Sequence, residues 1–214
     1  MNPVPSVAHP SGLAAQAPEV AARIVADSRD RVAWVRARSR GITATDVATL
    51  TSDRAIARAA DAKLLGSGFS GNAYTAHGRA REPEIAAWVA ATHGIQPSSA
   101  LFHAVVEKRH LATPDGIGVD SAGRITLAEI KTTNKAWRSI PRGYLRQVWW
   151  QQHVLGAERT LVAWEQHDGF VPVDDEPRCA SGQSARASAR NGSRGVAGGC
   201  GVRAGCCRAR MVRR

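Results

Sequence analysis

A chain of 214 residues, 43% hydrophobic and 22% charged, can bury one good core and demands no second. No apolar run approaches the length that spans a bilayer, and the opening MNPVPSVAHPSG lacks the charged and apolar regions of a secretion signal, so a cytoplasmic protein with no membrane partner is expected. The net charge of +11 points to a polyanionic partner, but nine arginines and no acid lie beyond Glu176, leaving residues 1–176 with 20 basic against 18 acidic groups, or +2.

Residues 1–17 are rich in Pro, Ala and Ser and read as disordered. Pro18 and Glu19 open a helix in which Ile24, Val25, Val32 and Val35 share an apolar face, and a break near Ser28 to Asp30 starts a second helix carrying Trp34 and Arg38. Thr45 is the expected N-cap of a short helix from Asp46 to Leu50, and Ser52 that of another running to Leu65. Gly66 to Gly71 lacks the Gly-Lys-Ser/Thr ending of a nucleotide-binding loop and reads as a connection. A helix opening at Gly78 follows, with Ile85, Ala86 and Val89 as its buried stripe and Gly94 as its stop. Strands are then expected over 100–106 and 109–113.

The most informative stretch runs from Thr113 to Thr133. A strand ending in Thr113-Pro114-Asp115, a short hairpin and a strand from Ile125 to Lys131 place Glu129 and Lys131 on one face, with Ile130 on the other. Asp115 and Glu129 offer hard oxygens of the kind Mg²⁺ prefers, and Lys131 beside them suits an attacking water or a phosphate. A solvated hairpin whose charges face water is the plainer alternative. Beyond it a helix from Pro141 to Gly156 carries Tyr144, Gln147, Val148, Gln151 and Leu155 along one side, its two amides one turn apart. Strands over 160–164 and 170–173 flank the turn Asp168-Gly169. The histidines show no ligand spacing, and the four cysteines, all beyond residue 178, form no zinc pattern. Residues 177–214 have no apolar period; their Arg, Gly, Ala and Cys text fits a disordered basic tail or a shifted reading frame.

Four blocks together resemble the YqaJ-type viral recombinases, lambda exonuclease-like members of the PD-(D/E)XK nucleases. These are Trp34-x-x-x-Arg38 with Ile42-Thr43-Ala44-Thr45, Gly78-x-x-x-Glu82, Pro114-Asp115 with Glu129-Ile130-Lys131, and Tyr144-x-x-Gln147-x-x-x-Gln151. The resemblance spans Trp34 to Val173. It implies an α/β, restriction-endonuclease-like core over 18–176, with a central mixed sheet flanked by helices. It further implies Mg²⁺-dependent hydrolysis, with Mn²⁺ as a substitute, of double-stranded DNA from its ends in the 5′→3′ direction. Asp115, Glu129 and the Ile130 carbonyl would hold metal with Glu82 assisting, Lys131 and Gln147 would complete the catalytic group, and Arg38 and Thr45 would meet the 5′-phosphate, with Arg40 a rival for Arg38. A single-strand annealing protein and a homo-oligomeric ring are the implied partners. An endonuclease on the same fold, or a DNA-binding protein that has lost catalysis, remain alternatives.

Overall fold

The computed structural model describes residues 10–65 and 71–183. At its centre lies a mixed sheet built around β7 (Ile125–Thr133) and β8 (Arg159–Asp168), which run parallel because the helix α7 (Arg142–Leu155) carries the chain back between them. β6 (Gly116–Val119) pairs antiparallel with β7 in a hairpin, so a strand begins just after Asp115 where one was expected to end, and β3 (Gln96–Pro97) adds to its outer edge. β10 (Arg178–Gln183) pairs antiparallel with β8, giving the order β10-β8-β7-β6-β3, and β9 (Val171–Pro172) hairpins onto the end of β8. The two loop residues of that hairpin, Gly169 and Phe170, both take positive φ, which places the turn one residue later than Asp168-Gly169.

One face of this sheet is covered by α6 (Ala73–His93), whose Ile85, Ala86 and Val89 pack on Ala128, Ile130, Leu161 and Ala163. α6 begins five residues before Gly78, because Asn72 and Thr75 form a reciprocal capping box, and it continues through Pro83, which has no N–H to give the Arg79 carbonyl. The opposite face carries α7, with Val148 against Val162, Trp164 and Ala180. Beyond it lies a second sheet in the order β1 (Ile24–Asp27), β4 (Ala100–His103), β5 (His110–Ala112), β2 (Ile42–Thr43). Phe102 and Ala112 of this sheet meet Ile117, Ile125 and Leu127 of the first.

Several elements depart from expectation. Ile24 and Val25 belong to a strand, not a helix, because β4 supplies an antiparallel partner far along the chain. The helix expected from Pro18 is thereby reduced to the short α2 (Pro18–Ala21). α1 (Pro10–Gln16) falls in the stretch expected to be disordered, with Leu13 against the core and Ala17 buried at its end. β10 falls in the expected tail, where Cys179 and Ala180 are buried against β8. The fold therefore includes residues beyond 176. The glycine-rich connection lies, for residues 66–70, outside the described residues, as does the tail from 184. Arg23, 9% exposed, donates to the carbonyls of His103, Val154 and Leu155 at 2.9, 2.6 and 3.1 Å, so a buried guanidinium ties the last turn of α7 to β4. Among the described residues no helix is long and apolar enough to cross a membrane.

Candidate active site

The β6–β7 ladder stops where Gly116 pairs with Ala128, so the next inward N–H on that edge of β7, that of Ile130, has no strand partner. Asp115, the residue just before β6, supplies one: its Oδ2 accepts from the Ile130 N–H at 2.6 Å. In an extended strand a residue's N–H and C=O leave on the same edge, so the Ile130 carbonyl faces the same opening. Glu129 and Lys131 flank Ile130 on the other layer and meet as an ion pair. The alternation expected from sequence thus brings Asp115, Glu129 and Lys131 together at the end of the ladder.

Their electrostatics are uneven. Glu129 is 1% exposed. Burial pushes the Asp115 carboxyl well above the usual carboxylate range, Glu129 and Glu82 push it further, and Lys131 and the Ile130 N–H oppose. Burial pulls the Lys131 ammonium down, but Glu129 and Asp115 outweigh it and hold the group protonated above its ordinary range. Glu82 on α6 is open to solvent yet borders the group: desolvation pushes its carboxyl up, Lys131 pulls it down and Glu129 pushes it up again. Gly78, one turn earlier, explains the approach: a Cβ there would stand 3.3 Å from Thr132 Oγ1 on β7, so α6 lies close against the strand.

Of the two amides on α7, the buried one is Gln151. Its Nε2 donates to Glu129 Oε2 at 2.6 Å, while its Oε1 has no partner among the described residues. Gln147 is half-buried and makes no side-chain hydrogen bond among them, so the residue that orients Glu129 is one turn beyond the one the family pattern selects. Val148, Gln151, Gln152 and Leu155 form an i, i+3, i+4, i+7 stripe, a sequence signal that puts Gln151 rather than Gln147 toward the sheet. Gln152 uses the same position to bond Thr160 Oγ1 and the Gly182 carbonyl, fastening β10.

Arg38 lies on α3 (Arg31–Ser39), its guanidinium 4.3 Å from the centroid of Trp34 and its Nη2 3.5 Å from Thr43 Oγ1. Trp34 Nε1 donates to Thr113 Oγ1 at 3.3 Å, two residues before Asp115, so this block borders the carboxylates. Arg38 forms no ion pair among the described residues; burial pulls its guanidinium down, and nearby Asp46 partly offsets this. The cap of α4 (Ala44–Thr49) is Thr43, not Thr45: Thr-x-x-Asp makes a capping box with Asp46, which also pairs with Lys63 at 2.9 Å. Thr45 is exposed in the first turn. Arg40 lies in a separate cavity of about 220 Å³ with Lys63, Arg109 and His110.

The donor set suits Mg²⁺. Among the described residues no three His, Cys, Asp or Glu side chains converge as a dedicated cage. Mg²⁺ keeps several waters and takes one or two carboxylates, so Asp115, Glu129 and the Ile130 carbonyl meet its needs, and the crowding that raises Asp115 is what a dication relieves.

Residues 33–158 match the model of the YqaJ-like viral recombinase domain. No curated protein matches the chain. Two solved structures of LHK-Exo are similar in fold. One, described as an alkaline exonuclease from Laribacter hongkongensis, is 21% identical with a TM-score of 0.56, over 73% of this chain and 84% of that one. The other, LHK-Exo in complex with dAMP, is 22% identical with the same TM-score and coverage. A phage related exonuclease from Haemophilus somnus 129PT follows at 12% identity and a TM-score of 0.52, over 70% of this chain and 87% of that one. Because the domain match takes in more than half of the chain and every side chain placed around Asp115 above, the chain belongs to the YqaJ-like viral recombinase family.

Proposed function

We propose that the chain is a metal-dependent DNA nuclease that degrades linear duplex in the 5′→3′ direction, leaving a 3′ strand for an annealing partner in phage-type recombination. The observation that carries this reading is the convergence of Asp115, Glu129 and Lys131 where the β6–β7 ladder ends. Mg²⁺, bound by Asp115, Glu129 and the Ile130 carbonyl with Glu82 assisting, would supply Lewis-acid stabilisation of phosphate oxygens. Lys131, paired with Glu129 beside the metal ligands, would orient or deprotonate the attacking water and offset charge on the phosphate. Gln151 fixes the Glu129 carboxylate, and Gln147, one turn earlier on α7, stands nearer the solvent as a group for the bound strand. Arg38, stacked on Trp34 with an unpaired charge, receives the 5′-phosphate, with Thr45 beside the N-terminal turn of α4. Membership of the family and the exonuclease names of the similar folds support the choice of DNA ends.

The test is a 5′-labelled linear duplex beside a covalently closed circle, with Mg²⁺ and with chelator. Loss of the linear duplex alone, only with Mg²⁺, and faster for 5′-phosphate than 5′-hydroxyl ends, is the expected result. Cutting of the circle would reassign the chain as an endonuclease.

A further inference from the structure

We propose that the cavity beyond the C-terminal end of β7 is a nucleobase subsite, in which a base adjoining the scissile phosphate stacks on Trp137 and Tyr144 beneath Tyr74. The inference rests on the DNA nuclease reading above and adds a binding element to that site. The cavity measures about 370 Å³, within the range of ligand pockets, and continues directly from the strand that carries Glu129 and Lys131. From Lys131 to Thr133 on its wall is two strand residues, or about 7 Å, the scale of one nucleotide step.

Three aromatic rings shape it. Trp137 is packed from behind by Trp164, which is 1% exposed, at 5.5 Å between centroids, and lies 5.2 Å from Tyr144. Tyr144 joins the cavity to the catalytic group, since Lys131 Nζ is 5.4 Å from its ring centroid. Tyr74, 52% exposed, is backed by Phe170 at 5.3 Å, and its hydroxyl accepts from Asn134 Nδ2 at 3.3 Å, so the α6 N-terminus and the loop after β7 meet at the rim. An exposed aromatic held in place by neighbours is a stacking platform rather than core filling.

The charge around it selects the ligand class. Residues 130–157 contain five Lys or Arg and no acid, and Lys135, Arg138 and Arg142 are exposed. Aromatic walls do not suit a simple inorganic anion, and a cationic rim does not suit an apolar ligand. Rings for a base together with cations for the flanking phosphates are what an unpaired nucleotide strand requires, and stacking accepts any base because each has a π face.

The full chain is mixed, in chelator, with 5′-phosphorylated duplexes carrying 2-aminopurine at one of the first four positions from the 5′ end and a distal dye. Dye anisotropy reports binding and 2-aminopurine fluorescence reports stacking. One position is expected to be strongly quenched. Tyr74→Ala and Trp137→Leu should each relieve that quenching and weaken affinity by about tenfold. An abasic residue at that position should abolish the difference between parent and variants. Tyr74→Ala, at an exposed position, keeps the test decisive if Trp137→Leu does not fold. Bound DNA whose quenching is equal at all positions, or unchanged in Tyr74→Ala, overturns the subsite and leaves the nuclease reading standing. Failure to bind any duplex, with no cleavage when Mg²⁺ is added, overturns both.

Discussion

Two glutamates lie on neighbouring central strands, both withdrawn from water: Glu129 on β7 at 1% exposure and Glu165 on β8 at 5%. They point to opposite faces, Glu129 toward Gln151 of α7 and Glu165 toward Arg81 of α6. Glu165 is met bidentately by a guanidinium: Arg81 Nε lies 3.0 and 3.1 Å from its two oxygens and Nη2 2.6 Å from one of them, while Nη1 of the same group reaches Glu84 at the surface. Glu129 shares Lys131 with Asp115 and Glu82, and Arg79 adds only a weaker pull on Glu82, so the three carboxylates outnumber the cations beside them. A buried acid that is matched by a bidentate guanidinium is a structural pair. A buried group with surplus negative charge is stable only if something else joins it, which is the condition a metal site meets.

Substituting each glutamate by its amide separates these roles most sharply. Glu129→Gln keeps the shape but removes the charge proposed to hold metal, and the single-turnover rate of DNA hydrolysis with saturating Mg²⁺ should fall by roughly 10³-fold while the melting transition stays cooperative. Near-parental rates in folded Glu129→Gln would sink the assignment. Glu165→Gln should do the reverse. It removes the buried partner of the Arg81 guanidinium, which keeps only Glu84 at the surface, and should cost about 2 kcal/mol in urea unfolding, with hydrolysis at low temperature within a few-fold of the parent. If folded Glu165→Gln lost hydrolysis as completely as Glu129→Gln, the contrast between the two faces would collapse.

A smaller effect, of unusual sign, is expected at Asp115. Its carboxyl is raised in the folded chain, so the folded state binds that proton more tightly than the unfolded state. Its contribution is therefore full at pH below the ordinary carboxylate range and is lost as pH rises through the raised value. Asp115→Asn, without that charge, should be more stable than the parent by about 1 kcal/mol at neutral pH in chelator, and the gap should close as pH falls. Added Mg²⁺ should raise the melting temperature of the parent and not of the variant. A parent more stable than Asp115→Asn at neutral pH in chelator would show that the acids are not crowded.

The parts legible in the sequence are those whose signal is local and periodic. Strand alternation put Glu129 and Lys131 together, the Ile85–Val89 stripe put α6 on the sheet, and Gly156 at φ 76° ends α7 where expected. The missed parts depend on distant partners. Arg-Cys-Ala-Ser-Gly-Gln has no strand pattern, and β10 forms because small residues fit beside β8 and under Val148. Arg23 looks like a surface cation until β4 and the end of α7 surround it. The true cap was legible, since Thr43-x-x-Asp46 is a capping box in plain text, and the stripe through Val148 and Leu155 marks Gln151 as a second amide to place beside Gln147.

The mildest test divides nine arginines that would otherwise be treated alike. Arg178 is part of β10 and pairs with Asp174 at 2.8 Å, whereas eight arginines and no acid lie beyond residue 183. A chain cut after Glu176 loses β10, uncovers the edge of β8 and deprives Gln152 of its Gly182 partner, so it should melt at a lower temperature or fail to fold. A chain cut after Gln183 should keep the melting temperature and the Mg²⁺-dependent cleavage per bound complex. What it should lose is salt-dependent affinity. Each phosphate neutralised adds about 0.9 to the slope of log affinity against log salt, so about four contacts by those arginines contribute about 3.6 to a slope that a near-neutral core cannot supply. Anisotropy titrations of the parent and the 1–183 chain from low to high salt measure the difference directly. An unchanged slope would mean that the eight arginines do not touch DNA, and loss of cleavage at saturating DNA would mean that residues beyond 183 contribute to the site.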